Sequence, residues 1–366
     1  MQIKHIIQEI EQFAPLSYQE SYDNSGVQVG DINLECSGAL LSLDITEAVI
    51  EEAIALGCNL IIAHHPLIFS GLKKITGKNM VERCIIKAIH HNITLYAAHT
   101  NLDNMQQGVN QKIADKLGLQ DTRILRPANN NLYKLYTYVP LHAAEELKTA
   151  LFAAGAGQIG NYAECSFSTV GTGSFRGNEH SRPKIGTAGG AREELSEVKL
   201  EVLVPAHLRY TLINALKAAH PYEEVAYELV AIANQNQTIG SGMIGTLAEP
   251  MAGSDFLRHI KQNLSATCIR HTDMIKPMIQ KIAVCGGSGS FLLADAMAAG
   301  ADLFLTADYK YHQFFEAEQQ IVIADIGHYE SEQFTVEIFD AIINKKFLNF
   351  AVHLSKTNTN PINYYF

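Results

Sequence analysis

Several features are missing from this sequence of 366 residues, and each absence narrows the possible functions. No stretch reaches the roughly 18 consecutive apolar residues of a membrane-spanning helix, so no span is expected. The six cysteines are dispersed and include no CxxC, which favours free thiols in a reducing cytoplasm over a disulfide framework. Positive charge is also scarce: the formal net charge of −10 argues against a nucleic acid or an anionic membrane as partner. The N-terminal segment, "MQIKHIIQEIEQFA", carries Glu9 and Glu11 and predicts an amphipathic helix instead of a signal peptide.

The order of predicted elements indicates one discontinuous α/β domain with a second domain inserted into it. The length favours two domains, and strands alternate with helices up to Pro127. After the polar run "ANNN" (128–131) the order becomes strand, helix, strand, strand, helix, strand, which suits a ferredoxin-like unit. The α/β alternation resumes after "GSGMIGTLAEP" (240–250). We therefore predict a three-layer mixed-sheet domain from residues 1–127 and 245–366, and an inserted α+β domain over 128–244.

The apolar patterns give approximate bounds for the elements of the α/β domain. In the first segment we predict strands at 38–45, 59–65 and 93–103 and helices at 46–57, 79–92 and 108–119. In the second segment we predict strands at 281–287, 302–308, 321–327 and 347–355 and helices at 254–263 and 290–300. A further helix is expected to begin near His328.

Three of these strand ends carry side chains that can bind a metal. His64 and His65 follow the strand "NLIIAHH", Asp103 ends "AAHTNLD", and "GHYESEQF" (327–334) places His328 and Glu332 four residues apart on one helix face. Each alone has a plain structural alternative: a pair of loop histidines, a turn aspartate, or an acidic first helical turn. The pair His90–His91 also lies at a helix end, where the helix dipole alone accounts for it.

Together, the strand ends favour an open metal site. His and carboxylate ligands without cysteine suit Zn²⁺, Fe²⁺ or Mn²⁺, and a bridging carboxylate would let five ligands serve two ions. Asp308 and His312 in "TADYKYHQ" (306–313) follow another strand end. We expect them to position a metal ligand or to transfer protons. The loop "CGGSGS" (285–290) has two interpretations: backbone N–H groups that hold an anion, or a tight turn.

These residues carry a resemblance to a known family. "SYDNSGVQVG", "AHHPLIF", "AAHTNLD", "CGGSGS", "TADYKYH" and "GHYESE" resemble, in order, the signature blocks of the NIF-three-like dinuclear metal-centre family, whose bacterial members are labelled GTP cyclohydrolase 1 type 2 homologues. The resemblance implies two divalent ions, with His65 and Asp103 on one, His64 and His328 on the other, and Glu332 bridging. "HPYEEVAYELV" (220–230) and "GTGSFR" (171–176) are similar to the PII/CutA-like insert of its longer members. That likeness implies a homohexamer, a trimer of dimers.

Two functions of different classes remain open at this stage. The first is a dinuclear metal-dependent hydrolase that acts on a small molecule, such as a nucleotide, through a metal-activated water, with Asp308 or His312 transferring protons. The second is a non-catalytic metal-binding ring that senses a small molecule or binds a partner protein through its insert. Five ligands without cysteine favour the enzyme, because closed structural sites more often use thiolates.

Overall fold

The computed structural model describes residues 1–365 and divides them into two compact units. One unit comprises Met1–Pro127 and Thr238–Phe366, and the other comprises Ala128–Gln237. The second boundary lies seven residues before the predicted one at 244/245. The reason is that the first residues of strand β10 (Asn236–Ala252) already bond to the first unit: the Thr238 carbonyl accepts from the Gln106 N–H, and Ile239 forms a bridge with Met105.

A five-stranded sheet is built mainly from the first segment. It contains strands β1 (Gly26–Val29), β2 (Ala39–Ser42), β3 (Leu60–Ala63), β4 (Thr94–Ala97) and β15 (Val352–Leu354) in the order β1-β4-β3-β2-β15. The neighbours from β15 to β4 are parallel, and only β1 runs antiparallel. Both faces of β2, β3 and β4 are buried, which explains their unbroken apolar runs.

A six-stranded sheet carries the second segment. Its strands are β5 (Gln120–Ala128), β10, β11 (Arg270–His271), β12 (Met278–Ser288), β13 (Leu303–Ala307) and β14 (Val322–Asp325), in the order β11-β14-β13-β12-β10-β5. Strands β12, β13 and β14 are parallel, whereas β10 pairs antiparallel with β12 and β11 with β14. The unit thus holds two mixed sheets, where the sequence suggested a single three-layer arrangement.

The helices of this unit cover the sheets. They are α1 (Ile3–Phe13), α2 (Glu47–Leu56), α3 (Met80–His90), α4 (Thr100–Asp103), α5 (Val109–Lys116), α8 (Gly253–Asn263), α9 (Leu293–Ala298), α10 (His328–Glu332) and α11 (Thr335–Lys346). One core cluster joins apolar residues of α1, α5, α8 and α11 to the facing sides of both sheets, and smaller clusters lie on the outer sides. Among residues 1–365, no helix combines the length and apolar character needed to cross a membrane.

Local signals explain where several helices begin and end. The Thr46 hydroxyl accepts from the backbone N–H of Val49 at the start of α2, and Gly57 ends that helix with φ +72°. The predicted strand 93–103 is shorter than expected: β4 ends at Ala97, and Asp103 lies on the short helix α4. The Asn101 side chain accepts from the backbone N–H of His99, which helps to turn the chain there.

The inserted unit has its own sheet and core. Its elements are β6 (Leu132–Pro140), α6 (Ala144–Ala153), β7 (Ser166–Phe175), β8 (Glu193–Pro205), α7 (Arg209–Ala219) and β9 (Tyr227–Ala231), and its antiparallel sheet has the order β7-β8-β6-β9. This is the arrangement of a ferredoxin-like split unit. In "HPYEE", the ring of His220 donates to the Tyr138 carbonyl and accepts from the Tyr222 backbone N–H, so it has a structural role.

Candidate metal centre

The carboxyl ends of parallel strands deliver the candidate ligands to one cavity. Strand β3 ends just before His64 and His65, β4 leads into the short helix α4 with Asp103, and β14 leads into α10 with His328 and Glu332. Loops that follow parallel strands collect at one edge of their sheet, where α/β ligand sites form. Two sheets here supply such edges to a common site.

The two adjacent histidines diverge from the end of β3. Both backbone N–H groups donate to the Leu43 carbonyl, and Pro66 holds the following chain extended. The His64 side chain is fully buried, whereas that of His65 is 22% exposed. Their ring centroids are 5.0 Å apart. Neighbouring side chains that point apart can therefore serve two positions in one cavity.

Glu332 lies between the two histidines and joins two groups of candidate ligands. Its Oε1 is 3.8 Å from His64 Nε2, and its Oε2 is 3.0 Å from the Nε2 atoms of both His65 and His328. Asp103 Oδ1 lies 3.5 Å from His64 Nε2. All five side chains that the sequence nominated as metal ligands thus lie in one cluster, and four of them, His65, Asp103, His328 and Glu332, line a cavity.

The short distances group the ligands differently from the family resemblance. One set of atoms that could hold a metal ion comes from His64, Asp103 and Glu332, and another from His65, His328 and Glu332. The resemblance placed His65 with Asp103 and His64 with His328. In both arrangements His64 and His65 fall on opposite sides, and Glu332 belongs to both.

Each of the three histidine rings uses its second nitrogen, Nδ1, to donate a hydrogen bond to an acceptor elsewhere in the protein. His64 Nδ1 donates to the Ala98 carbonyl at 2.9 Å and His65 Nδ1 donates to Asp44 at 2.7 Å. His328 Nδ1 donates to Asp308 at 2.7 Å. Such acceptors fix the ring orientation and leave Nε2 as the ligand atom, as around protein-bound metals.

The electrostatics of the metal-free cluster favour protonated imidazoles. Burial lowers the pKa of His65, but the hydrogen bonds with Asp44 and Glu332 outweigh burial and raise it to about 9. Burial also opposes the charge on His328, yet the Glu332 carboxylate and the Asp308 hydrogen bond raise its pKa to about 11. Positive charge is therefore stabilised where a cation would bind.

The two buried carboxyl groups respond in opposite directions. Burial and the neighbouring Glu332 carboxylate raise the pKa of Asp103. Burial also opposes ionisation of Glu332, but the His328 and His64 rings outweigh it and lower the pKa of Glu332. Glu332 is thus the ionised centre of the cluster.

Two buried ligand atoms have no hydrogen-bond partner within the described part of the chain. They are His64 Nε2 and Asp103 Oδ1, which face each other. A buried polar atom without a partner is costly, and a nitrogen opposite a carboxylate oxygen matches the donors that divalent metals take. The residues present therefore fit a metal ion.

The two residues nominated for proton transfer lie in different places. Asp308 bonds the ring of His328 directly, in a left-handed conformation with φ +59°. His312 lies on the exposed turn Tyr311–Ala317, where its ring contacts Tyr311 and Phe315, and it is not among the side chains that line the cavity. Their roles in proton transfer stay predictions.

The sequence did not reveal two further carboxylates and the role of one histidine. Asp44 follows β2 and bonds His65, and the buried Asp23 side chain accepts from His99 Nδ1 at 2.8 Å. A ring nitrogen of His99 forms a third candidate group with His64 and His65. The signal that could have found Asp44 is its place after a buried strand, in "LLSLDIT".

Two glycines near the end of β12, Gly286 and Gly287, allow Glu332 to approach closely. The backbone N–H of Gly286 donates to Asn110 Oδ1 and that of Gly287 donates to Ser331 Oγ, so both N–H groups have protein acceptors. Gly287 has φ +58°, and a Cβ there would lie 2.5 Å from Glu332 Oε1. The positive φ of Gly287 and the bonded N–H groups favour the interpretation of a close backbone turn beside the ligand cluster over that of an anion site.

The cluster forms part of the wall of a cavity of about 790 Å³. Three aromatic side chains in its lining, Tyr22, Phe69 and Phe291, are each more than half exposed to solvent. A cavity of this size with a few convergent polar groups suits a small molecule.

Comparison with known proteins places the chain in a family. The sequence model of Duf34/NIF3 (NGG1p interacting factor 3) matches residues 1–361. A GTP cyclohydrolase 1 type 2 homolog of Halalkalibacterium halodurans is 39% identical over 364 residues, covering 98% of each chain, and one of Bacillus subtilis is 38% identical over 99% of this chain and 98% of that protein. The crystal structure of a Bacillus cereus protein related to NIF3 superposes with a TM-score of 0.87 at 38% identity, covering 100% of this chain and 99% of that one. The chain belongs to the Duf34/NIF3 family.

Proposed function

We propose that this protein is a dinuclear metal-dependent hydrolase that acts on a small molecule, such as a nucleotide. The observation that carries the proposal is the pair of buried, unpartnered atoms His64 Nε2 and Asp103 Oδ1 beside Glu332. A nucleotide substrate is suggested by the names of the relatives, which are GTP cyclohydrolase 1 type 2 homologs. Zn²⁺, Fe²⁺ and Mn²⁺ all suit these ligands.

The chain's own residues prepare the site for hydrolysis. A pair of divalent ions would supply an activated water and a clamp for the substrate oxygen. Glu332 would contact both ions, while His64 and His65 would each hold a different one. Asp44 and Asp308 keep two of the imidazoles in a fixed orientation, so little rearrangement is needed when the site is loaded.

The cavity walls would bind and orient the substrate. Tyr22, Phe69 and Phe291 offer ring faces for a flat group such as a nucleobase. The His99 ring, fixed by Asp23 and edge-to-face with Phe69, would offer a hydrogen bond beside these rings. As part of the same proposal, the inserted unit resembles a PII/CutA-like domain and the chains form a hexamer, which sedimentation at six times the chain mass would test.

Metal counting and turnover on matched variants test the proposal. We expect about two ions per chain in the wild-type protein, loss of one in His64→Ala or His65→Ala, and loss of both in Glu332→Ala. His91→Ala is the control, because this exposed histidine at the end of α3 lies outside the cavity.

Activity is then measured on GTP and a panel of phosphoesters. Turnover by the wild type and the His91 control, lost in Glu332→Ala, supports the hydrolase. A metal content well below two per chain would contradict the dinuclear site. If the wild type binds its full complement of metal but shows no activity above that of the variants, the result would instead favour the metal-binding ring.

A further inference from the structure

The C-terminal segment, residues 355–360, leaves the five-stranded sheet at the edge where the metal centre lies. Strand β15 is parallel to β2, and the backbone N–H of Ser355 donates to the Leu41 carbonyl. The carboxyl ends of β15, β2 and β3 therefore lie at one edge, and the segment that follows β15 starts beside the loops of Asp44 and His64.

Glu52 on α2 anchors the start of this segment. Its carboxylate accepts from Ser355 Oγ at 2.6 Å, from the Lys356 N–H at 2.8 Å and from Thr357 Oγ1 at 2.7 Å. Burial alone would raise the pKa of Glu52, but these hydrogen bonds outweigh burial and lower it. The anchor is thus an ionised carboxylate with several donors, and the loss of one leaves the others in place.

Beyond the anchor, the segment bonds to two side chains next to the metal centre, Asp44 after β2 and Glu330 on α10. Thr359 Oγ1 donates to Asp44 Oδ2 at 2.5 Å, while the other oxygen of Asp44 accepts from His65 Nδ1. The next residue, Asn360, donates to Oε1 of the buried Glu330 at 3.2 Å, on the helix that carries His328 and Glu332. The two oxygens of Asp44 are therefore fixed by different partners, one a candidate ligand and the other the segment.

We propose that Thr359 is a positioning residue of the metal centre, which holds the Asp44 carboxylate and through it the imidazole of His65. The proposal rests on the metal centre of the proposed function but needs no hydrolysis. The Thr359 bond restrains rotation of the carboxylate away from His65 Nδ1. Without it, the carboxylate has one bond instead of two, and the His65 ring is held less firmly.

Two threonines in the same segment provide a matched comparison. Thr359→Val removes the hydroxyl that bonds Asp44, and Thr359→Ser retains one. Thr357→Val removes an equivalent threonine–carboxylate bond at Glu52, which touches no candidate ligand. All three variants are made in the full-length protein.

The first measurement is Zn²⁺ affinity by competition with a chelator. Loss of a direct partner of a metal ligand weakens binding by about 10- to 100-fold, so for a residue one bond further away we expect about a three- to tenfold loss for one of the ions in Thr359→Val. Thr359→Ser should bind Zn²⁺ like the wild type, and so should Thr357→Val. Equal affinities for the two valine variants would overturn the proposal.

The second measurement uses metal-free protein, so that it does not depend on loading. The His65 Nδ1–H proton should exchange with solvent faster in Thr359→Val than in the wild type, and unchanged in Thr357→Val. An unaltered His65 proton in Thr359→Val would count against the positioning role even if the protein bound no zinc. Conversely, two bound zinc ions without hydrolysis would defeat the proposed enzyme and leave this proposal intact.

Discussion

Around each candidate histidine ligand, the acceptor on the far side of the ring differs in chemistry. His64 uses a backbone carbonyl, whereas His65 and His328 use the carboxylates of Asp44 and Asp308. A carboxylate raises the basicity of the imidazole more than a carbonyl does, because it is charged. The two partly exposed histidines, His65 and His328, thus have the more strongly polarising partners.

Asp308 offers a test of this arrangement. We expect Asp308→Asn to weaken Zn²⁺ binding by about tenfold or more, because the amide still accepts a hydrogen bond but no longer supplies charge. Asparagine also tolerates the left-handed backbone at this position, so the loop should keep its shape. Chelator competition measures the affinity.

The control for this prediction is Asp302→Asn, a change in another aspartate of the same sheet that bonds Lys276 and two backbone N–H groups away from the cavity. Unchanged Zn²⁺ affinity in Asp308→Asn, together with lost turnover, would indicate the proton-transfer role in place of ligand positioning.

At the residue scale, the sequence was most informative where side chains that can bind a metal follow directly after a predicted strand. The five candidate ligand positions could be nominated because His and carboxylate side chains follow buried apolar runs. Asp23 and Thr359 could not, because their role depends on contacts with residues 76 and 315 positions away. No local pattern reports such a contact.

At the scale of single elements, the start of α3 is held by one carboxylate. Glu82 Oε2 accepts from the Thr76 N–H, the Thr76 hydroxyl and the Lys78 N–H, and Oε1 accepts from the Asn79 side chain. The Asn79 side chain in turn accepts from the Glu82 N–H as the helix cap. The carboxylate therefore orders the loop that enters the helix.

These bonds lower the pKa of Glu82 from its ordinary 4.5 to about 2, led by the Thr76 hydroxyl and backbone. Because the pKa is depressed in the folded state, the stabilisation is present above about pH 4.5 and is lost as the pH falls towards 2. We expect Glu82→Gln to lower the urea midpoint at neutral pH and to reduce its fall with acid over this window. Urea unfolding at several pH values measures both.

Glu51→Gln serves as the comparison, since this exposed carboxylate on α2 makes one surface ion pair with Lys87. Its effect on the midpoint should be smaller. If Glu82→Gln retained the full acid dependence of the wild type, another carboxylate would have to account for it.

Elements were predicted best where caps and apolar periodicity agree, as in α2 and α3. Strand β10, 17 residues long, was not predicted because its stretch "GSGMIGTLAEP" has neither the alternating pattern nor the unbroken apolar run of a strand. Sheet pairing overrides that local signal: Met243–Thr246 pair with Lys281–Val284, which no local preference reveals.

At the scale of the whole molecule, every candidate ligand lies in one of the two units. The chain leaves that unit and returns to it at neighbouring points, since a Cβ on Gly240 would lie 2.1 Å from the Arg126 carbonyl oxygen and 2.8 Å from Pro127 Cα. The inserted unit has a separate core that includes Leu147, Leu200 and Leu216. The order of elements in the sequence predicted this insertion, but not the two sheets of the unit that surrounds it.

We expect a chain in which residues 128–237 are replaced by a linker of about four residues to fold and to bind Zn²⁺ as the full chain does. The reason is that the remaining residues retain their core and all five candidate ligands. Circular dichroism, thermal unfolding and metal counting provide the measurement. A shortened chain that folds but binds no Zn²⁺ would contradict it, and Glu332→Ala in the same background gives the expected metal-free baseline.

The separation of the ligands along the chain has a consequence for synthesis. His65 and Glu332 are 267 positions apart, so the carboxylate common to both ligand groups leaves the ribosome near the end of translation. A nascent chain exposes His64, His65 and Asp103 long before their counterparts exist, and any product cut short before residue 332 lacks the shared carboxylate. Metal retention would thus distinguish finished chains from incomplete ones.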